Sequence, residues 1–255
     1  MLSRELLEKG GEPGFAAGQK EKDYVQHWIL SYLGREGFLG VFKGGTALQK
    51  AYGLPRYSED LDFTLNGAVL PDFDAIARYL ASAGFGEPKW KKEAVMGSHS
   101  AKLRVQGPLY NGRAVSECSI SLDFSGRENC ALAPVRIEIR PAYSDMIPYS
   151  VLVMDRKEIA AEKVRAMLTR ASARDLYDLS FLVRQGFLPD EQLINGKLAY
   201  YNMEYSYEKF ENAMDKLSKI WKVEMRALVA QVPDFESAKE EVLRGMKGIG
   251  KTSIQ

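Results

Sequence analysis

At 255 residues, with 45% hydrophobic and 27% charged side chains, the chain has the make-up of a globular protein of one or two domains rather than a disordered one. Lys and Arg (35) nearly balance Asp and Glu (34), leaving a net charge of +1, so no global field draws the chain to nucleic acid or an anionic membrane, and any polyanion site must be local. Two cysteines and two histidines exclude a disulfide framework and nearly exclude a Cys/His zinc site.

In chain order, the first forty residues read as helix, with Val25, Trp28, Ile29, Tyr32 and Leu33 at 3- and 4-residue steps and Gly34 and Gly37 closing the segment. Val41–Lys43 is a short extended piece. A helix then runs from Thr46 to Tyr52, stopped by Gly53 and Pro55. Residues 60–65, Asp-Leu-Asp-Phe-Thr-Leu, alternate as a strand. Pro71 opens another helix through Phe73, Ile76, Tyr79 and Leu80, ended by Gly84. Strand patterns follow at 101–105, 114–124, 135–139 and 149–153. After Asp155 only helical patterns remain, near 158–168, 174–185, 191–200, 207–221 and 236–244, and 245–255 reads as a frayed tail. The domain boundary is therefore expected near residue 155, giving 1–154 and 155–255. No run approaches 18 apolar residues, so a membrane span and a signal peptide are not expected, and the cytoplasm is the expected compartment.

Chemistry concentrates in Lys43-Gly44-Gly45-Thr46 and in Ser58-Glu59-Asp60-Leu61-Asp62-Phe63. Strand residues two apart share a face, so Asp60 and Asp62 sit side by side and repel unless a cation lies between them. Magnesium suits such a place, because it takes one or two carboxylates and fills its other positions with water and substrate phosphate. Gly44 and Gly45 let a phosphate approach the backbone closely, and the helix that follows offers unpaired N–H groups and the Thr46 hydroxyl. Alone, Gly-Gly before a helix reads as a tight turn, and Asp-Leu-Asp as a solvated strand face. Their occurrence together, one helix and one short loop apart, reads as a nucleoside-triphosphate pocket. A Walker-type loop does not fit, since no Gly-Lys-Ser/Thr follows the glycines.

The run Gly44-Gly45-Thr46 … Ser58-Glu59-Asp60-Leu61-Asp62-Phe63 resembles the first motif of the DNA polymerase β-type nucleotidyltransferases, and more narrowly the AbiEii/AbiGii toxin family. A second block, from Lys163 to Asp178, matches that family's K-x-x-A-x-x-x-R-x-x-x-R-D-x-x-D pattern. If helical throughout, it brings Lys163, Met167, Arg170 and Arg174 within about 60° of one another. If Ser172 breaks it into two helices, Asp175 becomes a capping or Arg-pairing residue. Six basic residues between Arg156 and Arg174 make this a local cationic segment.

The resemblance implies an α/β (α+β) fold: a nucleotidyltransferase-like mixed sheet flanked by helices, then a helical C-terminal half. It implies transfer of a nucleoside monophosphate from a triphosphate with Mg²⁺ or Mn²⁺, and an RNA acceptor such as the tRNA 3′ end, countered by a cognate antitoxin. Asp60, Asp62 and a third carboxylate would be the metal ligands; Gly44, Gly45, Thr46 and Ser58 would meet the nucleotide. Lys163 would offset charge on the triphosphate, with Asp178 a further acid and Arg170, Arg174 and Asp175 in support. The third carboxylate is expected at Asp123, in an Ile-Ser-Leu-Asp-Phe run resembling the family's metal-bearing strand, with Glu138 as the competitor. The other readings of the same pocket are a small-molecule or protein nucleotidyltransferase, and a non-catalytic nucleotide- or RNA-binding module.

Overall fold

Three phenylalanines on three neighbouring strands set the orientation of the sheet. The computed structural model describes residues 1–95, 97–247 and 249. The chain divides into two units: Met1–Gly53 with Tyr57–Cys130 and Pro134–Met154, and Leu54–Arg56 with Ala131–Ala133 and the chain from Asp155 onward.

The first unit contains helices α1 (Arg4–Lys9), α2 (Ala17–Arg35), α3 (Gly44–Tyr52) and α4 (Phe73–Ser82). Its strands are β1 (Val41–Lys43), β2 (Leu61–Thr64), β3 (Gly86–Val95), β4 (Ser98–Gln106), β5 (Cys118–Ser125), β6 (Val135–Ile139) and β7 (Tyr149–Val153). They form one sheet in the order β3-β4-β5-β2-β1-β7-β6. The β1/β7 and β2/β5 pairs are parallel and the rest antiparallel, so the sheet is mixed as expected. Phe42, Phe63 and Phe124 lie in register across β1, β2 and β5, with the Phe63 and Phe124 rings stacked at 5.2 Å. Tyr24, Val25, Ile29 and Leu33 of α2 and Ile76 and Leu80 of α4 belong to the same buried cluster. Period-2 alternation then turns the residue beside each phenylalanine to the other face.

Two local expectations change. Residues 114–116 form a 3-10 turn instead of the start of a strand, because the Ser116 hydroxyl bonds the Arg113 carbonyl (2.7 Å) and the Asn111 side chain (2.8 Å). Helix α4 starts at Phe73, where the Asp72 carboxylate accepts from the Asp74 and Ala75 N–H groups.

The second unit consists of α5 (Arg156–Thr169), α6 (Ala173–Arg184), α7 (Glu191–Leu198), α8 (Tyr207–Asp215), α9 (Ser218–Arg226) and α10 (Phe235–Met246). The helix expected over 207–221 is two helices with a tight turn at Leu217, whose N–H bonds the Met214 carbonyl. Phe210, Met214, Leu217, Trp221 and Met225 are all buried at 3- and 4-residue steps, so the apolar stripe runs unbroken through a backbone break. Helix α6 begins at Ser172 without a side-chain cap of its own; Glu224 of α9 accepts from the Ala173 N–H at 2.8 Å instead. Of the tail expected over 245–255, Gly245 and Met246 continue α10, while 248 and 250–255 lie outside the described residues. Among the described residues no helix is long and apolar enough to cross a membrane.

Truncating the stacked ring tests the phenylalanine row. Phe63→Ala is expected to lower unfolding stability by about 3–5 kcal/mol, from the lost burial and the cavity left behind. Urea unfolding followed by far-UV circular dichroism measures it.

Candidate active site

Opposite the phenylalanine row, Lys43, Asp62 and Asp123 occupy one register line across β1, β2 and β5. Because β2 and β5 are parallel and adjacent, the Asp62 and Asp123 side chains leave the same face from strands about 4.8 Å apart. Both residues are half-buried. Asp123 accepts a hydrogen bond from the Ser100 hydroxyl of β4. Glu138, by contrast, is exposed on the edge strand β6, where it pairs with Arg140. Register therefore brings Asp123, not Glu138, beside Asp62.

The chain passes directly from β1 into α3, and Gly44 makes that turn possible. Its φ is +76°, and a Cβ there would stand 2.6 Å from Asp62 Oδ2. Any other residue would be strained and would strike the carboxylate. The start of α3, with its unpaired N–H groups, is thereby held against Asp62.

Thr46 behaves differently from its expected role toward phosphate. It is fully buried, and its hydroxyl bonds the Asp60 carbonyl at 2.5 Å and the Ser58 hydroxyl at 2.8 Å. A hydroxyl occupied inside the protein is not a phosphate donor; it ties the Ser58–Asp60 loop to α3.

Further side chains that sequence patterns did not flag hold the same loop. Gln26 Nε2 donates to the carbonyls of Ser58 (3.2 Å) and Glu59 (2.6 Å), and Gln49 Oε1 accepts from the Ser58 N–H (3.1 Å). Behind them, Asp23 accepts from Gln49 (3.1 Å), Lys50 (2.5 Å) and the Tyr143 hydroxyl (2.8 Å). Burial is the largest influence on Asp23 and opposes its ionisation, but the opposing effects together, led by the Lys50 ammonium and including the hydrogen bonds from Lys50 and Tyr143, outweigh it and hold the carboxyl below its ordinary range. His27, bonded to the Tyr149 hydroxyl at 2.7 Å, is pushed down to about 3 by burial and then by Lys50, so its ring is neutral. The available signal was a set of polar residues, Asp23, Gln26 and His27, at helical spacing among the apolar residues Tyr24, Val25, Ile29 and Leu30 of α2.

Oxygen donors in register fit a hard divalent cation. Among the described residues no group of three or more His, Cys, Asp or Glu side chains is placed to hold a metal ion. Asp60, Asp62 and Asp123 thus do not stand as a finished three-carboxylate cage. A magnesium-like ion needs no such cage, since two carboxylates suffice alongside water and phosphate oxygens.

In the second unit, the motif from Lys163 to Asp178 is broken at Ser172, the second of its two possible forms. Asp175 pairs with Arg170 (3.1 Å) and with Lys163 (2.9 Å). Asp178, fully buried, takes Lys163 at 2.6 Å and Arg56 at 2.5 Å and 2.7 Å. Arg56 lies in a short loop without any recognisable pattern, and only the fold brings it here. Arg174 is exposed. Burial raises the Asp178 pKa, yet the Arg56 and Lys163 charges more than compensate and hold it low; burial likewise opposes the Lys163 charge, and Asp175 and Asp178 raise it overall.

A scan of protein-family models matches the one described as "Nucleotidyl transferase AbiEii toxin, Type IV TA system" over residues 32–244. Among solved structures the fold is similar to JHP933 from Helicobacter pylori, at 23% identity and TM-score 0.62, over 90% of each chain. It is also similar to MenT4, nucleotidyltransferase toxin Rv2826c from Mycobacterium tuberculosis H37Rv, at 23% identity and TM-score 0.67, over 96% of this chain and 88% of that one. At that identity the likeness is one of fold. Comparison with curated proteins gave no match.

Two outcomes test this arrangement. Gln26→Met, which keeps the volume and removes both carbonyl bonds, is expected to cost about 1–3 kcal/mol of stability and to slow nucleotide transfer about ten- to a hundred-fold per folded molecule. Unchanged transfer would show that the loop holds its place without Gln26. Asp178→Asn is expected to cost about 3–5 kcal/mol at neutral pH, because it strands Arg56 and Lys163. The Asp178 contribution is complete above the ordinary Asp pKa of about 3.9 and is lost as pH falls through the lower folded value. The Lys163 contribution is complete below about 10.4 and is lost as pH climbs through its raised value. Variant and wild type should therefore converge in stability at strongly acid pH, measured by urea unfolding across a pH series.

Proposed function

This chain belongs to the AbiEii family of nucleotidyltransferase toxins, and from that premise we propose that it transfers a nucleoside monophosphate to RNA at the face bearing Asp62 and Asp123. Membership makes it a nucleotidyltransferase with a nucleoside triphosphate as substrate, and implies an antitoxin that restrains it. The observation that carries the proposed site is the Asp62–Asp123 register on the sheet face opposite the phenylalanine row, with Gly44 pressed against Asp62.

In the reaction, an acceptor hydroxyl oxygen attacks the α-phosphorus, the bond to the β-phosphate oxygen breaks, and pyrophosphate leaves. Asp62 and Asp123, joined by Asp60, would hold Mg²⁺ or Mn²⁺. When bound, such an ion supplies charge neutralisation and orientation to the attacking and leaving oxygens. The residues of the chain do the rest. The N–H groups opening α3 at Gly44 and Gly45 meet phosphate oxygens with their partial positive charge. Thr46, Gln26 and Gln49 fix the Ser58–Asp60 backbone, so that Asp60 reaches its place without reorganisation.

The family pattern supports adding Lys163 and Asp178 to the residues needed for transfer, with Arg170, Arg174 and Asp175 in support. In the second unit three basic groups, Arg56, Lys163 and Arg170, surround two carboxylates, Asp175 and Asp178, and leave the cluster with an excess positive charge for an anion. The RNA acceptor, with the tRNA 3′ end as first choice, is supported by the resemblance.

The test is transfer from each of the four α-labelled triphosphates, with Mg²⁺ or Mn²⁺, into total RNA, total protein or small-molecule hydroxyl compounds. Label is expected in RNA. Asp62→Asn and Asp123→Asn are expected to lose about a hundred-fold or more, and Glu138→Gln to stay within about two-fold of wild type, in keeping with its exposed edge position. Label confined to protein or to small molecules would overturn the RNA acceptor. A large loss at Glu138 with none at Asp123 would overturn the assigned carboxylate pair.

A further inference from the structure

The same sheet face continues past Asp123 onto β4 and β3, and there it turns basic. Along β5, Ser119, Ser121 and Asp123 share a face, while Cys118, Ile120, Leu122 and Phe124 are buried. Across the ladder Asp123 opposes Ser100, Ser121 opposes Lys102, and Ser119 opposes Arg104. One strand further out, Lys91 opposes Lys102 and Lys89 opposes Arg104. Four cations thus form two directly facing like-charge pairs on one sheet face.

Like charges placed directly opposite each other destabilise a sheet. The local carboxylates only partly relieve them: Glu87 pairs with Lys89 at 2.7 Å, Glu93 with Lys91 at 2.6 Å and Glu117 with Arg104 at 3.7 Å. Lys102 has no carboxylate partner among the described residues. The Lys89 and Lys91 pairs are exposed on both sides and contribute little, so they yield readily to a phosphate; Glu117 is largely buried and stands at the long distance of 3.7 Å from Arg104, which is itself exposed. The four cations border an open groove of about 560 Å³, which they share with Glu117, the exposed Val115 and the half-buried Ser119. The Ser119 hydroxyl is buried there, with no hydrogen-bond partner among the described residues.

We propose that this groove binds the sugar-phosphate backbone of the RNA acceptor and leads it toward Asp123. From Ser119 to Asp123 is four residues along β5, about 13 Å, so an RNA strand seated on Lys102 and Arg104 reaches the carboxylates within a few nucleotides. Cations at alternate strand positions match a polymer of regularly spaced charges, and serine hydroxyls can pair with ribose hydroxyls. The inference rests on the proposed RNA acceptor and adds the location of its contact.

The experiment uses the full chain and a fluorescein-labelled single-stranded 12-mer of uridylate, with anisotropy read across 50–300 mM KCl. Each lost phosphate contact should reduce the log–log salt slope by about 0.7, equivalent to about five-fold in affinity at 0.1 M salt. The double variant Lys102→Ala/Arg104→Ala is therefore expected to bind about 25-fold more weakly with a slope reduced by about 1.4. Lys222→Ala, on α9, should match wild type, and unchanged thermal midpoints should show that all three fold.

Equal binding by wild type and the double variant would overturn the groove, even if RNA is labelled normally. If RNA is never labelled but the double variant still loses the 12-mer, the groove stands and the acceptor reading fails. Binding of a deca-glutamate peptide in place of the 12-mer, with the same dependence on Lys102 and Arg104, would assign the face to an acidic protein and overturn the proposal.

Discussion

Alternation along a strand is the constraint on which the site depends. Consecutive side chains point to opposite faces, so once Phe42, Phe63 and Phe124 are drawn into the core together, Lys43, Asp62 and Asp123 must emerge together on the other side. Two carboxylates that would repel each other in water are brought near by burial of the rings beside them. The hydrophobic gain of the aromatic row, spread over three strands, is larger than the mutual repulsion of two half-buried charges in a hydrated site. A one-residue slip of β5 against β2 would bury Asp123 and expose Phe124, so core and site share one register.

The two units hold their polar parts in different ways. In the first, neutral amides do the positioning: Gln26 and Gln49 grip backbone groups of the Ser58–Asp60 loop, and the buried Asp23–Lys50 pair stands behind them as an anchor. Amides serve well here because they fix a loop without adding charge near the carboxylates. In the second, full charges interlock, with Asp178 between Arg56 and Lys163 and Asp175 between Lys163 and Arg170. Such a cluster is specific more than strong, since its attraction is offset by the cost of removing its members from water.

Much of this was legible in the sequence, for identifiable reasons. The Gly44-Gly45 pair, the Asp60-Leu61-Asp62 alternation and the Ile120-to-Phe124 run carry local signals of period 2 or of required backbone freedom, and the mixed sheet followed by helices formed as the family resemblance implied. What stayed hidden was long-range or backbone-mediated. Nothing in the run Leu54-Pro55-Arg56 announces a partner 122 residues away. Thr46 looked like a phosphate donor because its hydroxyl follows the glycines, yet which way a hydroxyl turns depends on what lies above it, here the Asp60 carbonyl. The break between α8 and α9 was invisible because apolar periodicity records the buried stripe, and that stripe crosses the break undisturbed.

The cap of α6 carries a consequence for how this chain tolerates change. Ser172 opens that helix but leaves its own side chain out of the task, and a carboxylate from Glu224, some fifty positions downstream, meets the exposed amide of Ala173. The helix so anchored bears Asp175 and Asp178. The last third of the protein is accordingly no detachable appendage: shortening the gene product ahead of Glu224 would fray the very turn on which the acidic pair is mounted, though every residue of the recognisable motif would still be encoded.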